Sequence, residues 1–240
     1  MSQAQFRPAT LQERSEFYEK EFSIEKVKSW FALNNLPLPQ FCAVDAGSES
    51  GVIISTKLKN QLLYFPFQEL SKKIKQYLPE DIYYDRNVYR NPKKVLQTLK
   101  FREIKKQELA FDVDADNIFC RHPPKERVCC KCLRKAHFWA LKLDKELKKI
   151  FNKTALVYSG RGFHIHVLDK KAFLLSSKER SKLNKKFSKY PVDPWVSNGH
   201  SPLIRLPYSL NSPVSRITMP LSSKEKFIKQ KTIPRFLSAF

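Results

Sequence analysis

The chain has 240 residues and a formal net charge of +22, with 45 Lys and Arg against 23 Asp and Glu. A hydrophobic share of 42%, with 18 Phe and 9 Tyr, is that of a globular chain and excludes an intrinsically disordered one. So much like charge destabilises a compact chain by self-repulsion and points to a polyanionic partner, nucleic acid ahead of an anionic membrane surface; the bland source is lysine spread over exposed helix faces, such as Lys142, Lys145, Lys148 and Lys149.

Residues 23–31 read as a helix with Ser23 as N-cap and Ile24, Val27 and Phe31 on one face. Phe17, Tyr18 and Phe22 are expected to pack beside it, and Leu36-Pro37-Leu38-Pro39 ends it. Strands are expected at 42–44, 51–54 and 62–65, a helix at 69–77 stopped by Pro79, and β-like runs at 82–84 and 88–89. Cys42 stands apart from the other cysteines and reads as a buried small hydrophobe. No stretch approaches the roughly 20 apolar residues of a membrane span. Met1-Ser2-Gln3-Ala4-Gln5 lacks the apolar core of a signal peptide, so an intracellular location without a membrane partner is expected.

The run Leu109-Ala110-Phe111-Asp112-Val113-Asp114 alternates as a strand does. Leu109, Phe111 and Val113 take one face; Ala110, Asp112 and Asp114 take the other. Two carboxylates one pleat apart repel unless something positive lies between them, and a hard divalent cation with oxygen ligands fits. The alternative is a strand with a solvated polar face.

Next come Cys120-x-His122 and Cys129-Cys130-Lys131-Cys132. Cys129 and Cys132 have the CxxC spacing at which two thiolates reach one Zn²⁺, and Cys120 and His122 can fill the remaining corners. Cys130 is too close to Cys132 to chelate well beside it. Four ligands make a closed, structural site in a reducing compartment; free buried cysteines are the alternative. Leu133, Ala136, Ala140, Leu143, Leu147 and Ile150 then mark an amphipathic helix.

Strands at 155–158 and 163–168 flank Ser159-Gly160-Arg161-Gly162. The glycines allow positive φ and close backbone approach, Ser159 offers a hydroxyl, and Arg161 a planar fork of donors suited to phosphate. With a surface-facing His164 beyond it, the turn reads as a triphosphate cradle or as an ordinary hairpin with an exposed Arg. A lysine-rich helix is expected at 177–187. Asp193, before Pro194, is either a third carboxylate for the metal or a turn residue. Arg205 lies on a short apolar strand at 203–206 and needs an anionic partner there. A last strand is expected at 216–219. Helices recur between strands without internal repeats or a long linker, which indicates one α/β (α+β) domain over 1–240, its sheets flanked by helices, with a zinc-binding insertion at 119–133.

Taken in order, these motifs resemble the small, catalytic subunit of the archaeal and eukaryotic replicative DNA primase, over roughly residues 17–221. Phe111-Asp112-Val113-Asp114 is similar to the family's metal-binding motif. Ser159-Gly160-Arg161-Gly162-Phe163-His164 is similar to its nucleotide-binding motif, and Asp193 with Leu203-Ile204-Arg205-Leu206-Pro207 to its third. Asp81-Ile82-Tyr83-Tyr84 and Tyr89-Arg90-Asn91-Pro92 resemble its approach to the first motif, and the cysteine cluster falls where the family has a zinc-binding insertion. The resemblance implies a primase-type catalytic fold in which Asp112, Asp114 and Asp193 hold two Mg²⁺ or Mn²⁺ ions. It implies phosphate contacts from Ser159, Arg161, Gly162, His164 and Arg205. It further implies nucleoside triphosphate substrates, a single-stranded DNA template and a large iron–sulfur subunit as partner, in the cytoplasm of an archaeon or the nucleus of a eukaryote. Phe65-Pro66-Phe67 or the segment 227–240 either docks that subunit or packs in the core. Two features depart: Asn211 stands where the family usually has a histidine, and the interval from His164 to Asp193 has room for little more than one helix where typical members carry a helical subdomain. Within enzymes, a primase-polymerase or repair polymerase on the same core is the nearest alternative. From another class, it is a non-catalytic, zinc-containing nucleic-acid-binding accessory subunit.

Overall fold

A computed structural model describes residues 6–45, 62–119, 128–221 and 229–238. The strand expected at 51–54 and the zinc-ligand candidates Cys120 and His122 lie outside these residues. Helix α1 (Leu11–Lys20) starts with a capping box in which Thr10 and Glu13 each accept the other's backbone N–H. In α2 (Ile24–Leu33) Ser23 is the N-cap, accepting from the Lys26 N–H, and Val27, Trp30 and Phe31 are buried. Strands β1 (Phe41–Asp45), β2 (Leu63–Pro66) and β3 (Asp81–Asp85) follow, with α3 (Leu70–Tyr77) between the last two. A short β4 (Asn87–Tyr89), α4 (Pro92–Thr98) and β5 (Ile104–Gln107) lead to β6 (Leu109–Asp114).

The second half begins with α5 (Cys130–Leu147), β7 (Thr154–Tyr158) and β8 (Gly162–Val167). Then come α6 (Ser177–Lys186), α7 (Pro194–Ser197), β9 (Leu203–Arg205), β10 (Leu210–Asn211), β11 (Arg216–Ile217), β12 (Met219–Leu221) and α8 (Arg235–Ser238). The run expected as one strand at 216–219 is two. Arg216 and Ile217 pair with β10, while Met219 to Leu221 pair with β7. Between them Thr218, fully buried, exchanges backbone hydrogen bonds with the 208–209 turn.

Two four-stranded sheets organise the described residues, ordered β2-β1-β3-β9 and β12-β7-β8-β6, and every described strand pairing is antiparallel. One face of the second sheet (Leu109, Phe111, Val113, Phe163, Ile165, Val167) packs on Leu133, Ala136, Ala140 and Leu143 of α5. Each such large apolar side chain contributes about 1.5–3 kcal/mol when taken out of water. The opposite face gives Ala110 and Val157 to a second core shared with α2 and the first sheet, through Trp30, Phe31, Cys42, Ile82 and Tyr84. With both faces covered, all six residues of β8 are buried. Phe65, Phe67 and Phe236 pack into that second core, so they are core residues in this structure rather than an exposed docking face. Among the described residues, no helix is long and apolar enough to cross a membrane.

Candidate active site

The alternation of β6 sends Phe111 and Val113 toward α5 and turns Asp112 and Asp114 the other way, as its spacing predicts. The register with β8 then sets Asp112 opposite His164 and Asp114 opposite Gly162. Immediately before Gly162, the turn from β7 is closed by a reciprocal pair. The Ser159 N–H donates to the Gly162 carbonyl at 3.0 Å, and the Gly162 N–H donates to Ser159 Oγ at 3.1 Å. Gly160 has φ +103, and a Cβ there would lie 2.6 Å from Asn211 Nδ2. At Gly162 a Cβ would stand 2.4 Å from the Val113 carbonyl oxygen. Both glycines are therefore required, the first by dihedral angle and the second by the closeness of β6. The Tyr158 hydroxyl donates to the Gly160 carbonyl at 2.6 Å, and Asn211 Nδ2 donates to the Ser159 carbonyl at 2.8 Å.

A cleft of about 120 Å³ opens beside this turn, and its walls include Tyr83, Asp112, Asp114, Ser159, Arg161, His164, Arg205 and Asn211. Six of the residues singled out from sequence thus meet at one place, from strands of both sheets. Asp193 stands beside the cleft rather than in its wall. Its backbone N–H donates to the Asp112 carbonyl at 2.9 Å, while its Oδ1 caps α7 by accepting from the Trp195 N–H at 2.8 Å.

The electrostatics of the cleft are dominated by Asp112. Burial pushes its carboxyl well above the ordinary range, Asp114 and Asp193 push it further, and Arg161 and Arg205 only partly oppose them. Asp112 Oδ1 is buried without a hydrogen-bond partner, and His164 Nε2, 3.7 Å away, is too distant to be one. An orphaned carboxylate oxygen amid two further carboxylates is the donor chemistry a hard divalent cation takes. The residues therefore fit such an ion, although among the described residues no three acidic, His or Cys groups converge on one point as they stand. Asp114 and Asp193 are occupied in capping the 3-10 turn at Ala115–Asn117 and α7, yet a carboxylate accepting one hydrogen bond keeps lone pairs for a cation.

The cationic residues are already engaged. Arg161 Nη1 donates to Asp116 Oδ2 at 3.0 Å, and its Nη2 lies 3.4 Å from Asp114 Oδ2. Arg205 forms a buried ion pair with Asp81 and sits over the Tyr83 ring, its guanidinium carbon 5.2 Å from the centroid. Burial works against the Arg205 charge, but Asp81 and Tyr83 outweigh it and hold the pKa above the ordinary value. His164 departs from expectation: it is buried, not surface-facing, because the core shared by the two sheets covers that side of β8. Burial, then His166, Arg205 and Arg86, hold its pKa well below the usual imidazole value. A neutral His164 offers a hydrogen bond rather than a charge. His166, on the same face, is committed to Glu108 at 2.6 Å, with the Tyr84 hydroxyl donating to the other Glu108 oxygen at 2.9 Å.

Sequence reasoning missed Asp116 and Arg86, and named Asp81 only as part of a family motif, without a role. Asp81 and Asp116 complete the ion pairs of Arg205 and Arg161. Asp116 continued the two-residue spacing of Asp112 and Asp114, a signal that was there to be read. Arg86 donates to the Glu108, Val196 and Ser201 carbonyls at 2.8, 2.8 and 2.6 Å, fixing the segment that bears Asp193. At the start of α5, Cys129 is the N-cap and Cys132 is fully buried; the Cys129 N–H donates to Cys132 Sγ at 3.0 Å, and the Cys132 N–H to Cys129 Sγ at 3.5 Å.

No family model matches the chain. An uncharacterised DNA primase small subunit-like protein of Archaeoglobus fulgidus is 37% identical over 257 residues, 96% of this chain and 91% of that one. The DNA primase small subunits of Pyrococcus furiosus and Pyrococcus horikoshii are 34% and 32% identical over 74% of this chain and 48% of their own. The chain thus spans about half the length of the archaeal primase small subunits it matches. A solved polymerase domain of Mycobacterium tuberculosis ligase D, in complex with DNA, is similar over 87% of this chain and 80% of that one, with a TM-score of 0.46 and 16% identity, too loose a likeness to argue from. The Archaeoglobus relative matches nearly from end to end, and it places the chain in the DNA primase small subunit-like family.

Proposed function

We propose that the chain is the catalytic part of a primase, a nucleotidyltransferase that builds short primers from nucleoside triphosphates on single-stranded DNA. The observation that carries this reading is the β6–β8 register, which sets the paired carboxylates against the glycine turn in a single cleft. Asp112 and Asp114, with Asp193 beside them, would hold Mg²⁺ or Mn²⁺. Such ions supply activation of the attacking 3′-hydroxyl and charge stabilisation of the departing pyrophosphate. The chain's own residues do the positioning. Gly160 and Gly162 let the turn close against Asn211 and β6 at the rim of the cleft, Ser159 keeps the turn closed, and Arg161 exchanges Asp116 for phosphate oxygens. Arg205 adds positive field from its fixed place against Asp81, and neutral His164 contributes one hydrogen bond. Cys129 and Cys132, with Cys120 and His122, would hold a structural Zn²⁺; support comes from two thiols side by side at the start of one helix. A large iron–sulfur subunit is the proposed partner.

The test is de novo synthesis on single-stranded DNA with nucleoside triphosphates and Mg²⁺ or Mn²⁺. Products are expected with the unaltered chain and none with Asp112→Ala plus Asp114→Ala; full activity of that variant refutes the reading. Extension of a supplied primer without de novo initiation assigns the chain to a polymerase on the same core. Template binding without incorporation makes it an accessory subunit. One zinc per chain, lost in Cys129→Ser plus Cys132→Ser, tests the structural metal.

A further inference from the structure

The chain has three tryptophans, and Trp195 differs from the other two. Trp30 is buried in the core, Trp139 is partly buried with its ring edge on Tyr190, and Trp195 is 65% exposed. Its exposure is not that of a loose loop. Arg86, itself buried, holds the Val196 and Ser201 carbonyls at 2.8 and 2.6 Å, and the Ser201 N–H donates to the Trp195 carbonyl at 3.0 Å. The indole is thus held out on a fixed segment, with the exposed His200 ring as neighbour at 5.4 Å between centroids.

Its place on the surface is informative. On one side Trp195 is tied to the carboxylates, since Asp193 caps its helix and bonds the Asp112 backbone. On the other, His200 forms part of the wall of a second cleft, about 320 Å³, that also presents Lys105, Lys106 and Ser176. An aromatic ring between a catalytic cleft and a basic groove is the layout with which proteins hold single-stranded nucleic acid, rings taking bases and lysines taking phosphates.

We infer that Trp195, flanked by His200, is a stacking platform for a base of single-stranded DNA whose phosphates continue into the Lys105–Lys106 groove. The inference rests on the reading of the chain as a nucleic-acid polymerase. It assigns strand contacts on the α7 side of the active site that neither the paired carboxylates nor the glycine turn provides.

The experiment is titration of the full chain with a short oligothymidylate in metal-free buffer, followed by tryptophan fluorescence and by anisotropy of a labelled strand at several salt concentrations. The unaltered chain is expected to be quenched on binding. Trp195→Phe keeps most of the affinity but loses most of the quenching. Trp195→Ala weakens binding roughly tenfold or more. Lys105→Ala plus Lys106→Ala lowers the slope of log affinity against log salt by about 1.4. Leu33→Ala, an exposed residue of α2, binds as the parent does. Equal binding by Trp195→Ala and the parent overturns the platform while leaving the polymerase reading intact. No binding by the parent overturns both. Quenching by a nucleoside triphosphate alone, with none by the oligonucleotide, overturns the assignment to the strand.

Discussion

The two four-stranded sheets meet at the same cleft, but they bring to it groups in opposite conditions. From β9 comes Arg205, already paired with Asp81 on the neighbouring strand and stacked over Tyr83. From β6 comes Asp112, partly buried beside two other carboxylates, with Oδ1 fully buried and unsatisfied. One side of the site is complete without a ligand; the other is destabilised until something positive arrives. Strain of this kind persists only where surrounding structure holds it in place, and β6 is held between β8 and the α5 core. A group that binds only the folded chain relieves that strain and adds to its stability.

The sharpest way to break the comparison is to remove the unsatisfied carboxylate. Asp112→Asn is expected to lower primer synthesis roughly a thousandfold or more while metal-free protein melts no lower than the parent. The pH dependence has a definite sign. The Asp112 carboxyl has a higher pKa in the fold than in the unfolded chain, so the folded state binds more protons. Its ionisation therefore removes stability as pH rises from the ordinary carboxylate range through the raised value. Thermal melts in EDTA across that range should show this decline in the parent and a flatter curve in Asp112→Asn. A variant that melts well below the parent at neutral pH would mean that the carboxylate is structural.

On the satisfied side, Asp81→Ala leaves Arg205 buried without its partner and should cost about 3–5 kcal/mol in urea unfolding. Adding Arg205→Met should recover part of that loss, because an apolar side chain has no charge to desolvate. In the turn between β7 and β8, Gly162→Ala drives a methyl group into the Val113 carbonyl and should cost about 1–3 kcal/mol, lowering activity with it. The smallest effect is expected at Asn211→Ala, which removes one hydrogen bond to Ser159, worth about 1 kcal/mol. Steady-state kinetics should show it mainly as a raised KM for nucleotide. A fall in kcat alone would place Asn211 in the chemistry instead.

Much of the site was legible because it is written in short-range patterns. Two-residue alternation put Asp112 and Asp114 on the face away from Phe111 and Val113, and the Gly-Arg-Gly spacing marked the turn. The need of Arg205 for an anion was also readable, but not which anion. Asp81 is 124 residues away in sequence, and only the β3–β9 pairing brings it near. His164 was misread because alternation tells which face a side chain takes and not what covers that face. Strand β5, Ile-Lys-Lys-Gln, went unrecognised because it has no apolar period; it forms through pairing with β4. Helix α4 owes its start to Asn91 and Pro92, which sequence reasoning had taken only as part of a family motif.

Strand β6 lies at the margin of its sheet, with β8 on one side. On the other side the described backbone contact is the bond from the Asp193 N–H to the Asp112 carbonyl. Sheet margins invite pairing with other chains, and this contact, with α7 lying along the strand, shields the margin. It also makes the position of the third carboxylate indifferent to what comes before it. Doubling the length of a flexible connection adds only about 0.6 kcal/mol to closure, so the interval between β8 and Asp193 can shrink to a single long helix or swell to a subdomain while the docking bond stays the same. The length of that interval is then a free parameter of the scaffold, open to change for reach or for partners without disturbing the acidic cluster it serves.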